Sequence, residues 1–405
     1  QEKPRRPAMS SVGFCDPTAA MPHVDCAHGD SYLAGLCARL LQRRVRPGRR
    51  TLAAVRRLSE SFAKQFKQLN PLKKICFHEW LAHSSYTGER KQELIKAFER
   101  VTGGGDFKLP THVDSHVKDE QYLDFKFSRL INARPDEFKV LLGPVIHEIE
   151  QIVFANASFA KFVAQRDRWA KIRERLDVPG SSVIWTDHTS YEAVFSRDFV
   201  LSTALPIYEW ILGDHPCKAE FLRLYIRYVI PRDGHSLRSK WWRVEGVQAE
   251  MSGEMDTSLK NGLVNVFGAS AANALSALAE LTGELIGWSV LSDEALASRI
   301  DKISAYRITP DEGGQADGED FRMFAEGDDG VVVAKVETDM SAMSVLGFNV
   351  KAVSGPDLTH GDFCSIDGTI EGPAISVRNP LKVLGSFGWL GGAYVDAKRS
   401  TKLMI

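Results

Sequence analysis

Cysteine is scarce in this chain: six residues in 405, namely Cys15, Cys26, Cys37, Cys76, Cys217 and Cys364. No two stand as C-x-x-C, which argues against a structural zinc site. Cys15, His23, Cys26 and His28 are metal-ligating types but irregularly spaced. Scattered reduced thiols of a cytosolic protein are the better reading. No run of 18 uninterrupted apolar residues occurs, so no spanning helix is expected. The nearest stretch, Gly262 to Leu281, is broken by Asn265 and Asn273. A charge excess of either sign is also missing, with 51 basic against 52 acidic residues. Any nucleic-acid surface must therefore be local. The phosphate-cradling pattern G-x-x-x-x-G-K-[ST] is absent, so Gly103-Gly104-Gly105 reads as a helix end rather than a nucleotide loop. No internal repeats stand out.

What the chain does have is core-forming material, 44% apolar and 25% charged residues. That amount suits one multi-lobed unit or two to three domains. Residues 1–20 read as a loose arm, and 31–101 as helices. Leu33, Leu36, Cys37, Leu40 and Leu41, and later Leu94, Ile95, Ala97, Phe98 and Val101, follow helical spacing. Residues 138–178 read as helical again. Val183-Ile184-Trp185-Thr186 is a buried-strand run ending on Asp187, with a helix expected through Ile211.

Residues 218–243 hold seven basic side chains against two acids, with Tyr225, Tyr228, Trp241 and Trp242 among them. Such a mixture suits a phosphate backbone and stacked bases. It equally suits a solvated helix face with its own buried aromatics, and the two readings stay open at this point. A loop at Met251-Ser252-Gly253-Glu254 leads into a long helix from about Met255, on which Thr257, Asn261 and Asn265 form one polar stripe. The Gly/Asp-rich stretch 311–320 reads as a surface loop. Phe321 to Glu326 and Val331 to Ala334 read as two strands around the tight turn Gly327-Asp328-Asp329-Gly330. Two adjacent acids at a hairpin tip are the most informative feature. Phosphoryl transfer crowds negative charge, and two divalent ions held by carboxylates on rigid neighbouring elements can stabilise it. Asp187, Asp328 and Asp329 meet that need if their strands are adjacent.

Asp187-His188-Thr189-Ser190-Tyr191-Glu192 resembles polymerase motif A. Ser252-Gly253-Glu254-Met255-Asp256-Thr257-Ser258-Leu259-Lys260-Asn261 resembles motif B, and Gly327-Asp328-Asp329 resembles motif C. In that order the set is similar to the viral RNA-dependent RNA polymerases, most of all the tombusvirus-like group of positive-strand RNA viruses. Weaker likenesses agree: Ser85-Tyr86-Thr87-Gly88 with the template-entry segment, Lys118-Asp119-Glu120 with Lys126, Arg129 and Arg134 with motif F, Leu346 to Lys351 with motif D, and Phe363-Cys364-Ser365 with motif E. The resemblance covers roughly residues 75–390. Glu192 stands where many relatives have Asp, Glu250 where Arg is frequent, and Lys260 where Gly is common.

The resemblance implies an α+β right hand of fingers, palm and thumb, with an antiparallel palm sheet backed by helices. It divides the chain into an N-terminal extension with bridging helices (1–74), fingers (75–178), motif A palm (179–200), a fingers insertion (201–247), palm with motifs B, C and D (248–360), and motif E with a small or truncated thumb (361–405). Asp187, Asp328 and Asp329 would ligate two magnesium ions, with manganese as the alternative. Lys126, Arg129 and Arg134 would face the incoming NTP. Glu192, Ser252, Gly253, Thr257 and Asn261 would meet the ribose or hold the groups that do, and Lys351 would be the general acid. The implied partners are RNA template, nascent RNA, NTPs and replication-complex proteins. The implied place is the host cytoplasm, at a membrane reached through another segment or partner, with no transmembrane segment in this chain. The first residue is Gln1, consistent with a fragment or processed product. A reverse transcriptase and a non-catalytic RNA-binding relative are the rivals. Glu326, two before the acid pair, and the polar Glu192 disfavour the first, and the intact acids the second.

Overall fold

The computed structural model describes residues 9–11, 26, 28–42, 45–104, 107–120, 126–283, 288, 291–303, 321–367, 376 and 389–391. Most of the expected arm over 1–20, the loop 311–320 and most of the expected thumb lie outside the described residues, as do Cys15 and His23. The chain is mixed α+β. Its strands are β1 (Met9–Ser11), β2 (His112–Val117), β3 (Leu130–Ala133), β4 (Ser182–His188), β5 (His235–Arg238) and β6 (Arg243–Val247). They continue with β7 (Phe321–Glu326), β8 (Asp329–Ala334), β9 (Val350–Gly355), β10 (Asp362–Phe363), β11 (Ile366–Asp367) and β12 (Trp389–Gly391).

The sheet that matters most runs β7-β8-β4-β9, antiparallel throughout. Its two central strands read as unbroken apolar runs because both faces are covered. Ile184, Met323 and Val332 point into the main core, where the helix Thr257–Thr282 packs. Val183, Trp185, Phe324, Val331 and Val333 point the other way, onto Trp169, Ile172 and Leu176 of the helix Arg168–Leu176. Each such side chain, fully buried, contributes roughly 1.5–3 kcal/mol. The 26-residue helix Thr257–Thr282 is long and apolar enough to cross a membrane by composition, yet 72% of its most apolar stretch is buried inside the fold. It is apolar nearly all round because it is a core helix.

A second sheet, β3-β2-β5-β6, has antiparallel outer pairs around one parallel pair, β2 with β5. Its apolar side packs against Tyr32, Leu36 and Leu40. It joins the first sheet's neighbourhood at Gly253, whose N–H donates to the Asn132 carbonyl at 2.9 Å. A Cβ on Gly253 would lie 2.5 Å from that carbonyl oxygen and 2.8 Å from Ala133 Cα, so only glycine fits.

Three expectations need correction. The helix expected through Ile211 is a 3₁₀ turn, Tyr191–Val194, followed by two short helices, Arg197–Ser202 and Ala204–Leu212. Residues 138–178 are not one helical stretch: the helix Asp136–Val153 ends well before Arg168–Leu176, with only a 3₁₀ turn, Gln165–Asp167, between. The basic-aromatic stretch 218–243 is not one helix face either. The helix Lys218–Leu224 passes through a π turn, Tyr225–Val229, into the β5-β6 hairpin. Tyr225 is fully buried and Tyr228 partly so, which makes them core residues, while Trp242 is exposed.

Candidate active site

The β7-β8 connection is a two-residue turn, with Glu326 paired to Asp329 across it. Gly327 has φ +62 and Asp328 does not have positive φ, the signature of a hairpin with glycine at the first central position. Asp328 therefore sits at the tip and Asp329 opens β8. On β4, Thr186 pairs with Gly330 and Asp187 pairs with Lys351 of β9. One step further along the β4-β8 ladder leads from Thr186 and Gly330 to Asp187 and Asp329. Close approach is required here: a Cβ on Gly330 would lie 2.6 Å from Thr186 Oγ1 and 2.7 Å from Met323 Cε.

The three acids lie in one another's field. Burial pushes the Asp328 carboxyl up, and the charges of Asp187 and Glu192 push it further. Burial and the neighbouring Asp328 raise Asp329 to about 6, opposed by a hydrogen bond with the Cys364 thiol. Cys364 and Ser365 form the β10-β11 turn with φ 51 and 65, a left-handed pair without glycine. Asp328 and Asp329, raised first by burial and then by neighbouring acids, mark a site short of positive charge.

Asn265 fixes this arrangement. It is fully buried, and its amide nitrogen faces the carbonyl oxygens of Gly327, Asp328 and Asp329 at 3.2, 3.0 and 3.3 Å. Its Oδ1 meets His188 Nε2 at 3.2 Å. One side chain thus ties the hairpin tip to the end of β4. Sequence reading placed Asn265 on the polar stripe but gave it no role; its four-residue step beyond Asn261 was the available signal.

Beside the acids lies a cavity of about 260 Å³, and the predicted residues Arg129, Glu192, Ser252, Thr257, Asn261 and Asp328 all line it, with Arg39 and Glu250. Glu192 reaches it because the backbone turns sharply after β4. Ser190 has φ 48 and a 3₁₀ turn, Tyr191–Val194, follows, which is the short non-helical turn that a role for Glu192 demands. Arg39 grips Glu192 with Nε to Oε1 at 2.6 Å and Nη2 to Oε2 at 3.2 Å. Among the described residues Asn261 Oδ1 is buried without a hydrogen-bond partner, while its backbone carbonyl accepts from Tyr191 Oη at 3.1 Å.

The other predicted residues divide by what they touch. Ser252 Oγ donates to the Leu130 carbonyl and accepts from Asn132 N–H, both at 3.0 Å, so with Gly253 it joins the helix entry to β3. Thr257 Oγ1 is spent on the carbonyls of Met251 and Glu254. Arg129 lines the cavity and pairs with Glu120. Lys126 is exposed and is not among the residues lining the cavity. Lys351 is exposed on β9, directly opposite Asp187. Arg134 departs from expectation. It is buried, with Nε 2.6 Å from Glu254 Oε1 and Nη2 3.0 Å from His235 Nδ1. A guanidinium committed in this way holds the fold and cannot face an incoming triphosphate.

The chain was compared with protein-family models and with curated proteins, and nothing matches it in either.

Proposed function

We propose that the chain is an RNA-dependent RNA polymerase of the positive-strand viral type, extending an RNA 3′ end from NTPs on an RNA template. One observation carries the reading. Asp187 and the Asp328-Asp329 pair, far apart in sequence, come together at the ends of paired strands beside a polar cavity containing Glu192 and Asn261. In this reading the β7-β8-β4-β9 sheet is the palm and the β3-β2-β5-β6 sheet belongs to the fingers.

Among the described residues no three His, Cys, Asp or Glu side chains are grouped so as to hold an ion unaided. Magnesium does not require such a cage, since it keeps waters and draws on substrate phosphates beside one or two carboxylates. The donor set fits on chemistry: hard carboxylate oxygens, with Asp328 and Asp329 held up first by burial and then by neighbouring acids, a field that a cation would relieve. Asp187, Asp328 and Asp329 would hold the ions, magnesium or manganese, which when bound stabilise charge on the attacking and leaving oxygens. The cavity would take the ribose, with Asn261 Oδ1 accepting from a hydroxyl and Glu192 beside it. Arg129 would offset phosphate charge from the cavity wall. As the 3′ hydroxyl gives up its proton to solvent and forms the new P–O bond at the α-phosphorus, the bond to pyrophosphate breaks, and Lys351 would give a proton to the departing oxygen.

The test is extension of an RNA primer on RNA and on DNA templates, with ribo- and deoxyribonucleotides, in magnesium and in manganese. Product from NTPs on RNA alone is expected. Deoxynucleotide product on either template would assign a reverse transcriptase-like enzyme, and RNA binding without extension would assign a non-catalytic relative.

A further inference from the structure

We infer that Arg39, outside every segment that resembles a polymerase motif, is a positioning residue for ribose recognition: it holds Glu192 at the cavity so that discrimination between ribose and deoxyribose depends on it. The inference rests on the polymerase reading of that cavity. Three observations converge. Arg39 engages both Glu192 oxygens, and both side chains are about three-quarters or more covered, 26% and 20% exposed. Arg39 lies in the π turn Leu36–Leu40, whose Leu36 and Leu40 pack into the core of the second sheet. π turns are rare and concentrate at functional sites. On the opposite side, Ser190, whose left-handed backbone aims the Glu192 turn, hydrogen-bonds the Ala38 carbonyl at 3.4 Å. The pair thus links the exit of β4 to an element anchored on the other sheet.

The chemistry follows from lone pairs. A carboxylate offers about four acceptor sites, and a bidentate guanidinium occupies one on each oxygen. Two acceptor sites remain for the cavity, which is also lined by Asn261, whose Oδ1 has no partner among the described residues. Ribose hydroxyls donate to such acceptors, and a deoxyribose leaves one of them unpaired in a buried place. Without Arg39, Glu192 would gain rotamer freedom and lose this register. A point charge replaces the planar fork poorly. A partly exposed ion pair adds little to stability, so the effect should appear in discrimination rather than folding.

The experiment measures equilibrium binding of ATP and dATP by calorimetry in magnesium, kcat/KM for both on one RNA template, and Tm. The proteins are the full chain, Arg39→Ala, Arg39→Lys, Glu192→Gln and the Arg39→Ala/Glu192→Gln double variant. Arg39→Ala is expected to lower the ATP-to-dATP ratio by about tenfold or more, chiefly through the KM for ATP, with Tm unchanged. Arg39→Lys should recover part of it, and the double variant should fall no further than the worse single one. A preserved ratio, equal losses for ATP and dATP, or additive effects would overturn the inference. If the full chain prefers ATP in binding, loses that preference with Arg39→Ala, and yet extends no primer, the inference stands and the polymerase reading falls. If it extends RNA while Arg39→Ala discriminates as before, the inference alone falls. Equal binding of ATP and dATP by the unaltered chain, with equal kcat/KM or no extension from either, overturns both.

Discussion

Asp328 is the most exposed to test of the single residues, because it sits at a hairpin tip where a change of charge leaves the backbone alone. Asp328→Asn keeps the shape and removes one ligand charge. Extension should drop by at least about a thousandfold, as when a catalytic metal is displaced. RNA affinity, set by phosphate contacts elsewhere, should persist in a filter-binding assay. Near-normal extension in magnesium would remove Asp328 from the reaction. Asn261 is the second such residue, since its buried Oδ1 lacks a partner in the described residues. Asn261→Ala should lower the ratio of ATP to dATP kcat/KM, mainly by harming ATP use. An unchanged ratio in a folded variant would make Asn261 structural. Ser252 and Thr257 carry no such expectation, because their hydroxyls are already spent on backbone groups.

At the level of elements, the β7-β8 hairpin is only as well placed as its clamp. Asn265 holds three consecutive carbonyls of the tip and His188 at the end of β4. Asn265→Ala strands these buried groups, at about 1–3 kcal/mol. Chemical denaturation should show that loss. Single-turnover extension should slow by about tenfold to a hundredfold, since small misplacements of reacting groups are costly. A slower reaction with no stability loss, or the reverse, would separate the clamp's two tasks. An unchanged rate would show that the acids find their positions without it.

Across the molecule, a buried charge cluster joins the start of the long helix to the second sheet. Lys260 lies 3.1 Å from Glu250 and 3.3 Å from Asp256, and Tyr208 and Tyr225 both hydrogen-bond Asp256. Arg134 and Glu254 continue it towards β5. Arg134→Ala leaves Glu254 buried and unpaired, a loss of about 3–5 kcal/mol. It should therefore act as a folding defect, visible as a lowered Tm, and not as a nucleotide KM effect. A normal Tm with a raised nucleotide KM would return Arg134 to the triphosphate. Glu250 makes the cluster pH-sensitive. Burial raises its carboxyl from 4.5 to about 8, with Lys260 opposing and Asp256 and Glu192 adding to the rise. The folded chain then keeps a proton that the unfolded chain releases above its ordinary value. This contribution to stability is present in full below about pH 4.5 and is lost as pH climbs towards 8. Glu250→Gln cannot titrate, so its Tm should decline less over that interval; an identical decline would place the titrating group elsewhere.

The reading from sequence succeeded where chemistry is local. The Gly327 turn, the β7 and β8 runs, the strand ending near Asp187 and the helix carrying Thr257 and Asn261 are all dictated by nearest neighbours, through turn geometry and hydrophobic period. The α+β class was implied by the resemblance that these segments carry, and the chain is α+β. Other features depend on contacts between residues far apart in the chain. The second sheet was not foreseen, because β2, β3, β5 and β6 are short, partly polar strands that exist only through pairing with one another. Tyr225 and Tyr228 looked available for stacking, and packing withdrew them. Arg134 and Arg129 are the same residue type five positions apart, yet one is sealed against Glu254 and the other lines the cavity. Arg39 and Glu192, 153 residues apart, carry no mutual signal in sequence. Burial and long-range pairing decide whether a charged side chain is sealed inside the fold or stands at the cavity wall, and both arise only once the chain has closed on itself.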